Sequence, residues 1–127
     1  MDPRTARAEV SRRLGLSRWK REAELHRLLL KLFPTSRVQR EASPSWLGRQ
    51  RLDIFLPEKR LGVEYQGRQH YKAIEHFGGA EALARTRERD RRKRELCAAN
   101  GVDLLEVKSS EPLTASSLRR RLQRWLD

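Results

Sequence analysis

A chain of 127 residues, 36% charged and 37% hydrophobic, has room for one compact domain with a real core and little space for a second. Its net charge of +12 and sequence pI near 11.1 point to a polyanionic partner. A single cysteine, Cys97, excludes an internal disulfide and a multi-cysteine zinc site; the absence of any long apolar run and of a signal-peptide core in MDPRTARAEV predicts a cytoplasmic protein that does not enter a membrane.

In chain order, the first expected element is a short basic helix from about Thr5 to Leu14, with Ala6, Val10 and Leu14 on one side and Gly15 as its stop. Residues 1–16 therefore read as a basic helical extension, and residues 17–127 as the domain proper. A second helix is expected from Ser17 to Phe33, with Leu25, Leu28, Leu29 and Leu32 as its buried stripe and Pro34 ending it. Its early acids, Glu22 and Glu24, lie in line with that stripe and can present a carboxylate at the edge of the core; they also suit the helix dipole alone. Val38 begins a weak strand before the loop SPSWLG. Trp46 in that loop is placed to stack on an unpaired base, whereas Trp19 and Trp125 read as core anchors.

Two alternating runs then flank the turn signal Pro57-Glu58-Lys59-Arg60. If Glu58 and Lys59 make a two-residue turn, the register places Asp53 opposite Glu64. Leu52, Ile54, Leu56, Leu61, Val63 and Tyr65 then form an apolar face, and Arg51, Asp53, Phe55, Gly62, Glu64 and Gln66 the other. Opposed side chains have Cβ atoms about 5 Å apart, so two carboxylates there repel. That arrangement suits a hard cation such as Mg²⁺, which takes oxygen ligands; the plainer reading is two acids on a solvated face.

After a Gly-containing connection, HFGGA, a long helix is expected from about Ala80 to Asn100, closed by Gly101. Leu83, Thr86, Asp90, Lys93 and Cys97 share one of its faces, which draws Asp90 and Lys93 toward the body of the protein as a half-buried ion pair or a functional pair. Val102 to Val107 reads as a buried strand. Thr114 caps a last helix that turns Leu118, Leu122, Trp125 and Leu126 inward. The fold class is α/β: one mixed sheet of about four strands flanked by helices.

The order of Glu22 (or Glu24) on a helix, then Asp53, then Glu64-Tyr65-Gln66 resembles the PD-(D/E)xK nuclease superfamily, with its restriction-endonuclease-like fold. The stretch LDIFLPEKRLGVEYQGRQHY is similar to the corresponding block of its small phage-type and very-short-patch-repair-like branch, and the likeness runs over about residues 17–110. The resemblance implies a Mg²⁺- or Mn²⁺-dependent endonuclease or nickase that hydrolyses DNA phosphodiesters. Asp53, Glu64 and the carbonyl of Tyr65 would be metal ligands, with the helix acid nearby. The chain departs from the pattern at Gln66, where the motif has lysine. Lys93 resembles the migrated lysine of some members, and His70 resembles a histidine beside the metal if the strand continues past Gly67.

The 23 arginines against six lysines suit phosphate contacts, because a guanidinium binds phosphate through paired donors; an Arg-rich proteome would produce the same ratio. The alternative to catalysis is a nucleic-acid-binding module that keeps the fold, and charge alone also allows a small RNA-binding protein. Double-strand cutting would require a homodimer or two successive events.

Overall fold

The inward stripe expected of the leucine-rich helix is present: Leu25, Leu28 and Leu29 are buried and Leu32 packs half-buried against the core, with Phe33 buried just beyond it. The structure, a computed structural model, describes the backbone of residues 3–66 and 68–126, and side chains for residues 18–66, 76 and 78–126. The stripe belongs to α1 (Pro3–Leu32), a single helix rather than two. Gly15 does not stop it, since an interior glycine costs a helix only about 1 kcal/mol relative to alanine. The expected extension thus shares its backbone with the helix that carries Glu22. Trp19 is not a core anchor: it is 57% exposed. At 100° per residue, the face that runs through Arg18, Glu22, Leu25 and Leu29 turns Trp19 away from the sheet.

Four strands follow: β1 (Gln39–Ala42), β2 (Leu52–Leu56), β3 (Leu61–Gln66) and β4 (Asp103–Lys108), side by side in that order. β1–β2 and β2–β3 are antiparallel, whereas β3–β4 is parallel. A parallel partner needs a crossover, and α2 (Arg68–Ala99) supplies it. The β2–β3 register is the expected one, with Leu56 opposite Leu61 and Ile54 opposite Val63. The connection differs. Pro57–Lys59 form a 3₁₀ turn and Arg60 adopts a left-handed conformation, so four residues join the strands where two were expected. The register survives because the two added residues are the outer pair of the expected turn.

HFGGA is mostly helical. α2 begins at Arg68 and is broken only at Gly79, whose φ of 75° and ψ of −177° lie outside the helical region. Glycine, with no Cβ, takes such a conformation without strain and redirects the axis. β3 therefore ends at Gln66 and does not run on to His70. The backbone of His70 is in α2, so the strand parity that linked it to Glu64 does not exist; its side chain lies outside the described residues. Beyond Gly79 the expected stripe holds, with Leu83 and Cys97 buried and Thr86, Asp90 and Lys93 half-buried between them. Gly101, with φ of 69°, follows the helix end as expected.

α3 (Ala115–Leu122) is capped by Thr114, whose hydroxyl accepts from the Ser117 N–H at 3.2 Å. Leu118 and Leu122 are buried, and Trp125 and Leu126 pack on the core from the turn beyond the helix.

Both sheet faces are covered, so the second face is not solvated. Ile54, Leu56, Leu61, Val63, Tyr65 and Val107 meet α1 and α3 in the main cluster. Leu52 departs from the expected face and joins Leu47, Cys97 and Val102 in a second cluster, against which Trp46, Phe55 and Leu104 pack. Trp46 meets Phe55 edge-on with centroids 6.3 Å apart, so its ring is part of this small core rather than free in the loop. Among the described residues, no helix is long and apolar enough to cross a membrane.

The docking face of α1 can be checked with a pair of neighbouring leucines. Leu29 is fully buried and Leu30 is 46% exposed. In urea denaturation, Leu29→Ala should cost about 2–5 kcal/mol, and Leu30→Ala no more than about 0.5 kcal/mol.

Candidate active site

The ladder between β2 and β3 changes character one step beyond Ile54 and Val63. Asp53 and Glu64 follow in the same register, and each carboxylate accepts a backbone N–H from the other strand. The Asp53 N–H donates to Glu64 Oε2 at 2.8 Å, and the Tyr65 N–H donates to Asp53 Oδ2 at 2.8 Å. The pair thus stitches the two strand ends together through side chains. On the other side of β2, the β1 position in line with Asp53 is Glu41, whose φ of 48° is rare for a residue with a side chain. The backbone is irregular on both flanks of Asp53.

Glu64 is 3% exposed, the single buried charged residue among those described. α2 supplies its counter-ion: Lys93 Nζ pairs with Glu64 Oε1, and both side chains are largely shielded. The Lys93 position follows from the inward stripe, since Leu83 and Cys97 pin the helix on either side. Burial and the repulsion of Asp53 push the Glu64 carboxyl up to about 7, against the pull of Lys93 and of the Asp53 N–H. Burial and the Glu64 charge also push the Cys97 thiol up, which fits a packing role.

α1 closes the site from the opposite side. Glu22, half-buried, has its carboxyl raised by burial and then by Asp53, and Arg18 partly offsets both. Arg18 Nε donates to Glu22 Oε1 at 2.9 Å, while its Nη2 stands 3.6 Å from Asp53 Oδ2. Arg18 and Arg21 also lie over the Tyr65 ring, at 6.0 and 5.8 Å from its centroid. Glu24 points elsewhere and binds Arg27. Of the two helix acids, Glu22 is the one at the site.

Four of the residues singled out in the sequence, Glu22, Asp53, Glu64 and Lys93, are therefore brought to one place by α1, β2, β3 and α2. Tyr65 enters through its N–H and its ring. Gln66 ends β3, half-buried, and pairs in register with Lys108 of β4. Asp90 stays half-buried on the inward face of α2. Arg18 was not singled out, although its spacing of four from Glu22 is the one signal that would have found it.

Among the described residues, no three His, Cys, Asp or Glu side chains converge closely enough to form a metal cage. The donor set nevertheless suits a hard cation. Two carboxylates face each other, a third, Glu22, is electrostatically coupled to Asp53, and two organic cations, Arg18 and Lys93, already stand against the acids. Mg²⁺ takes oxygen ligands of this type, held by one or two carboxylates while keeping several waters.

The chain is similar to three viral proteins that are themselves described as uncharacterized. It is 47% identical to protein 307L of Invertebrate iridescent virus 6 over 57 residues, which is 44% of this chain and 29% of the relative. It is 36% identical to protein 094L of Frog virus 3 over 77 residues, 59% of this chain and 47% of that one. With protein 033L of Invertebrate iridescent virus 3 it shares 40% identity over 76 residues, 59% of this chain and 39% of that one. The chain thus spans less than half the length of each. No protein-family model matches the chain, and no solved structure does.

The raised Glu64 carboxyl has a measurable consequence for stability. Between the ordinary carboxylate value of 4.5 and about 7 the folded chain holds a proton at Glu64 that the unfolded chain has lost. Glu64 therefore contributes a stability present below that window and lost as pH rises through it. Without divalent metal, the wild type should lose on the order of 2 kcal/mol between pH 4.5 and 7 relative to Glu64→Gln. Urea unfolding of both proteins across this range checks it; parallel pH profiles would remove Glu64 as the cause.

Proposed function

We propose that the protein is a divalent-cation-dependent nuclease acting on DNA phosphodiesters, with a restriction-endonuclease-like fold of the PD-(D/E)xK type. The observation that carries this reading is the Asp53–Glu64 pair, Glu64 buried and Asp53 half-buried, at the end of the β2–β3 hairpin with Lys93 and Glu22 brought to it from separate helices. A protein this rich in basic residues could have stabilised the hairpin end without opposing two acids.

Asp53 and Glu64 would hold Mg²⁺ or Mn²⁺, with the carbonyl of Tyr65 and Glu22 nearby. When bound, the ion offsets charge on the phosphate and lowers the pKa of a water molecule. Lys93, which reaches Glu64 from α2, would take the part of the motif lysine. Its ammonium, kept beside Glu64 by the packing of α2, would orient an attacking water and add positive charge where the phosphate becomes more negative. Gln66 offers a carbonyl and an amide at the same strand end but no charge. The remaining arginines, in excess over acids, would hold the nucleic-acid backbone and make binding strongly salt-dependent.

A second reading, a non-catalytic nucleic-acid-binding module, is favoured by Gln66 at the motif position and by the engagement of Lys93 with Glu64. The two part in a nicking assay on supercoiled plasmid DNA with Mg²⁺ or Mn²⁺, with structured RNA as a parallel substrate. Asp53→Asn and Glu64→Gln should each lower cleavage by about two orders of magnitude or more, while weakening duplex binding only slightly. Cleavage by the wild type no faster than by Asp53→Asn would leave the binding module as the better reading.

Lys93→Met gives an independent check. It should lower cleavage about a hundredfold at saturating metal. Without metal it should also destabilise the fold by about 1–3 kcal/mol, since Glu64 loses its counter-ion. Melting curves with and without Mn²⁺ should show the wild type, but not Asp53→Asn, stabilised by the ion through mass action.

A further inference from the structure

Among the described residues, one arm of Arg18 has no partner. Its Nη1 is shielded from solvent and makes no hydrogen bond among the described residues. Its Nε is committed to Glu22 at 2.9 Å. Its Nη2, 3.6 Å from Asp53 Oδ2, is close enough for attraction but beyond ordinary hydrogen-bond length. A shielded donor left unmet is costly, and more so when it is charged. The guanidinium is therefore held here as a counter-ion by two acids, in a geometry that uses only part of its donor set.

A planar guanidinium is better matched to a phosphate, to which it can present two parallel N–H groups. Arg18 has the position for such a contact. It lies one helical turn before Glu22, beside Asp53, with its guanidinium carbon 6.0 Å from the Tyr65 ring centroid. The neighbouring Arg21, over the same ring at 5.8 Å, raises the positive potential there.

Building on the metal-dependent reading above, we propose that Arg18 serves two anions in turn. In the absence of a divalent ion it neutralises Glu22 and Asp53. When an ion takes Asp53, Arg18 is released to bind a non-bridging phosphate oxygen of the substrate backbone. The residue is then both an internal competitor of the metal and a phosphate-binding residue of the loaded site. Each event favours the other, because substrate that draws Arg18 away frees Asp53, and metal on Asp53 frees Arg18. By linkage, the two ligands must raise each other's affinity.

These roles give Arg18→Gln effects of opposite sign. Without nucleic acid, calorimetric titration of the full chain with Mn²⁺ should show the variant binding about tenfold more tightly than wild type. At saturating Mn²⁺, its kcat/KM on duplex DNA should fall by about a hundredfold. Arg18→Lys, which keeps the charge without the fork, should lie between wild type and Arg18→Gln in both measurements, and melting curves establish that each variant is folded. A purely structural role would weaken both metal binding and cleavage, and that result overturns the proposal. So does unchanged Mn²⁺ affinity in Arg18→Gln while wild-type binding still depends on Asp53; the metal reading then survives. Tighter metal binding with undiminished cleavage removes the phosphate contact. If neither wild type nor Arg18→Gln binds Mn²⁺, the metal reading itself fails and takes this inference with it.

Discussion

Keeping the Glu64 carboxylate 3% exposed beside a second carboxylate is the constraint around which the rest of the structure is arranged. An isolated buried carboxylate would be prohibitively costly and needs both hydrogen bonds and a counter-ion. The hairpin register supplies the first, by aiming the Asp53 N–H at Glu64. α2 supplies the second, but only because the chain leaves β3, bends at Gly79 and returns over the sheet with Leu83 and Cys97 facing inward. Lys93 lies between those two anchors. α1 then sets Glu22 and Arg18 against Asp53 from the other side. Removing any of these elements would leave an unbalanced charge at the end of the two central strands.

The surface charges are arranged differently. Arg91 pairs with Glu88 and Glu95, Arg94 with Glu106, and Arg37 with Glu58, all with substantially exposed side chains. Such pairs contribute little to stability, typically less than about 1 kcal/mol each. The cations beyond these pairs produce the net charge of +12, a property relevant to attracting a polyanion rather than to folding. At the site, by contrast, Lys93 is largely shielded and Arg18 partly so, each set against buried or half-buried acids. The same residue types thus do different work according to the dielectric around them.

The site is also where the regular rules of the fold break down together. The β2–β3 ladder turns to side-chain acceptors at Asp53 and Glu64, Glu41 adopts a positive φ in line with Asp53, and Arg18 leaves a shielded donor unmet among the described residues. Such irregularities usually collect where function competes with stability. Elsewhere the strands alternate, the helix stripes are apolar, and Thr114 caps α3 in the ordinary way.

Local pattern was enough for the strands, the hairpin register, the inward face of α2 and the final helix. In each, a period of two or 3.6 and a buried face point to the same answer. The pairing of Asp53 with Glu64 was legible for the same reason, because side-chain parity in a hairpin follows from the register. Helix boundaries were less so: Gly15 and the HFGGA segment read as breaks, yet the helices pass through one and bend only at Gly79 in the other. A glycine weakens a helix by an amount that packing easily offsets. Tertiary structure alone decided between Glu22 and Glu24, exposed Trp19, moved Leu52 to the second cluster and brought Arg18 to the carboxylates. Those outcomes depend on the rotation of a helix about its axis and on contacts between elements far apart in the chain. Sequence spacing within one element bears on the first only through its apolar stripe and i,i+4 pairs such as Arg18 and Glu22, and not at all on the second.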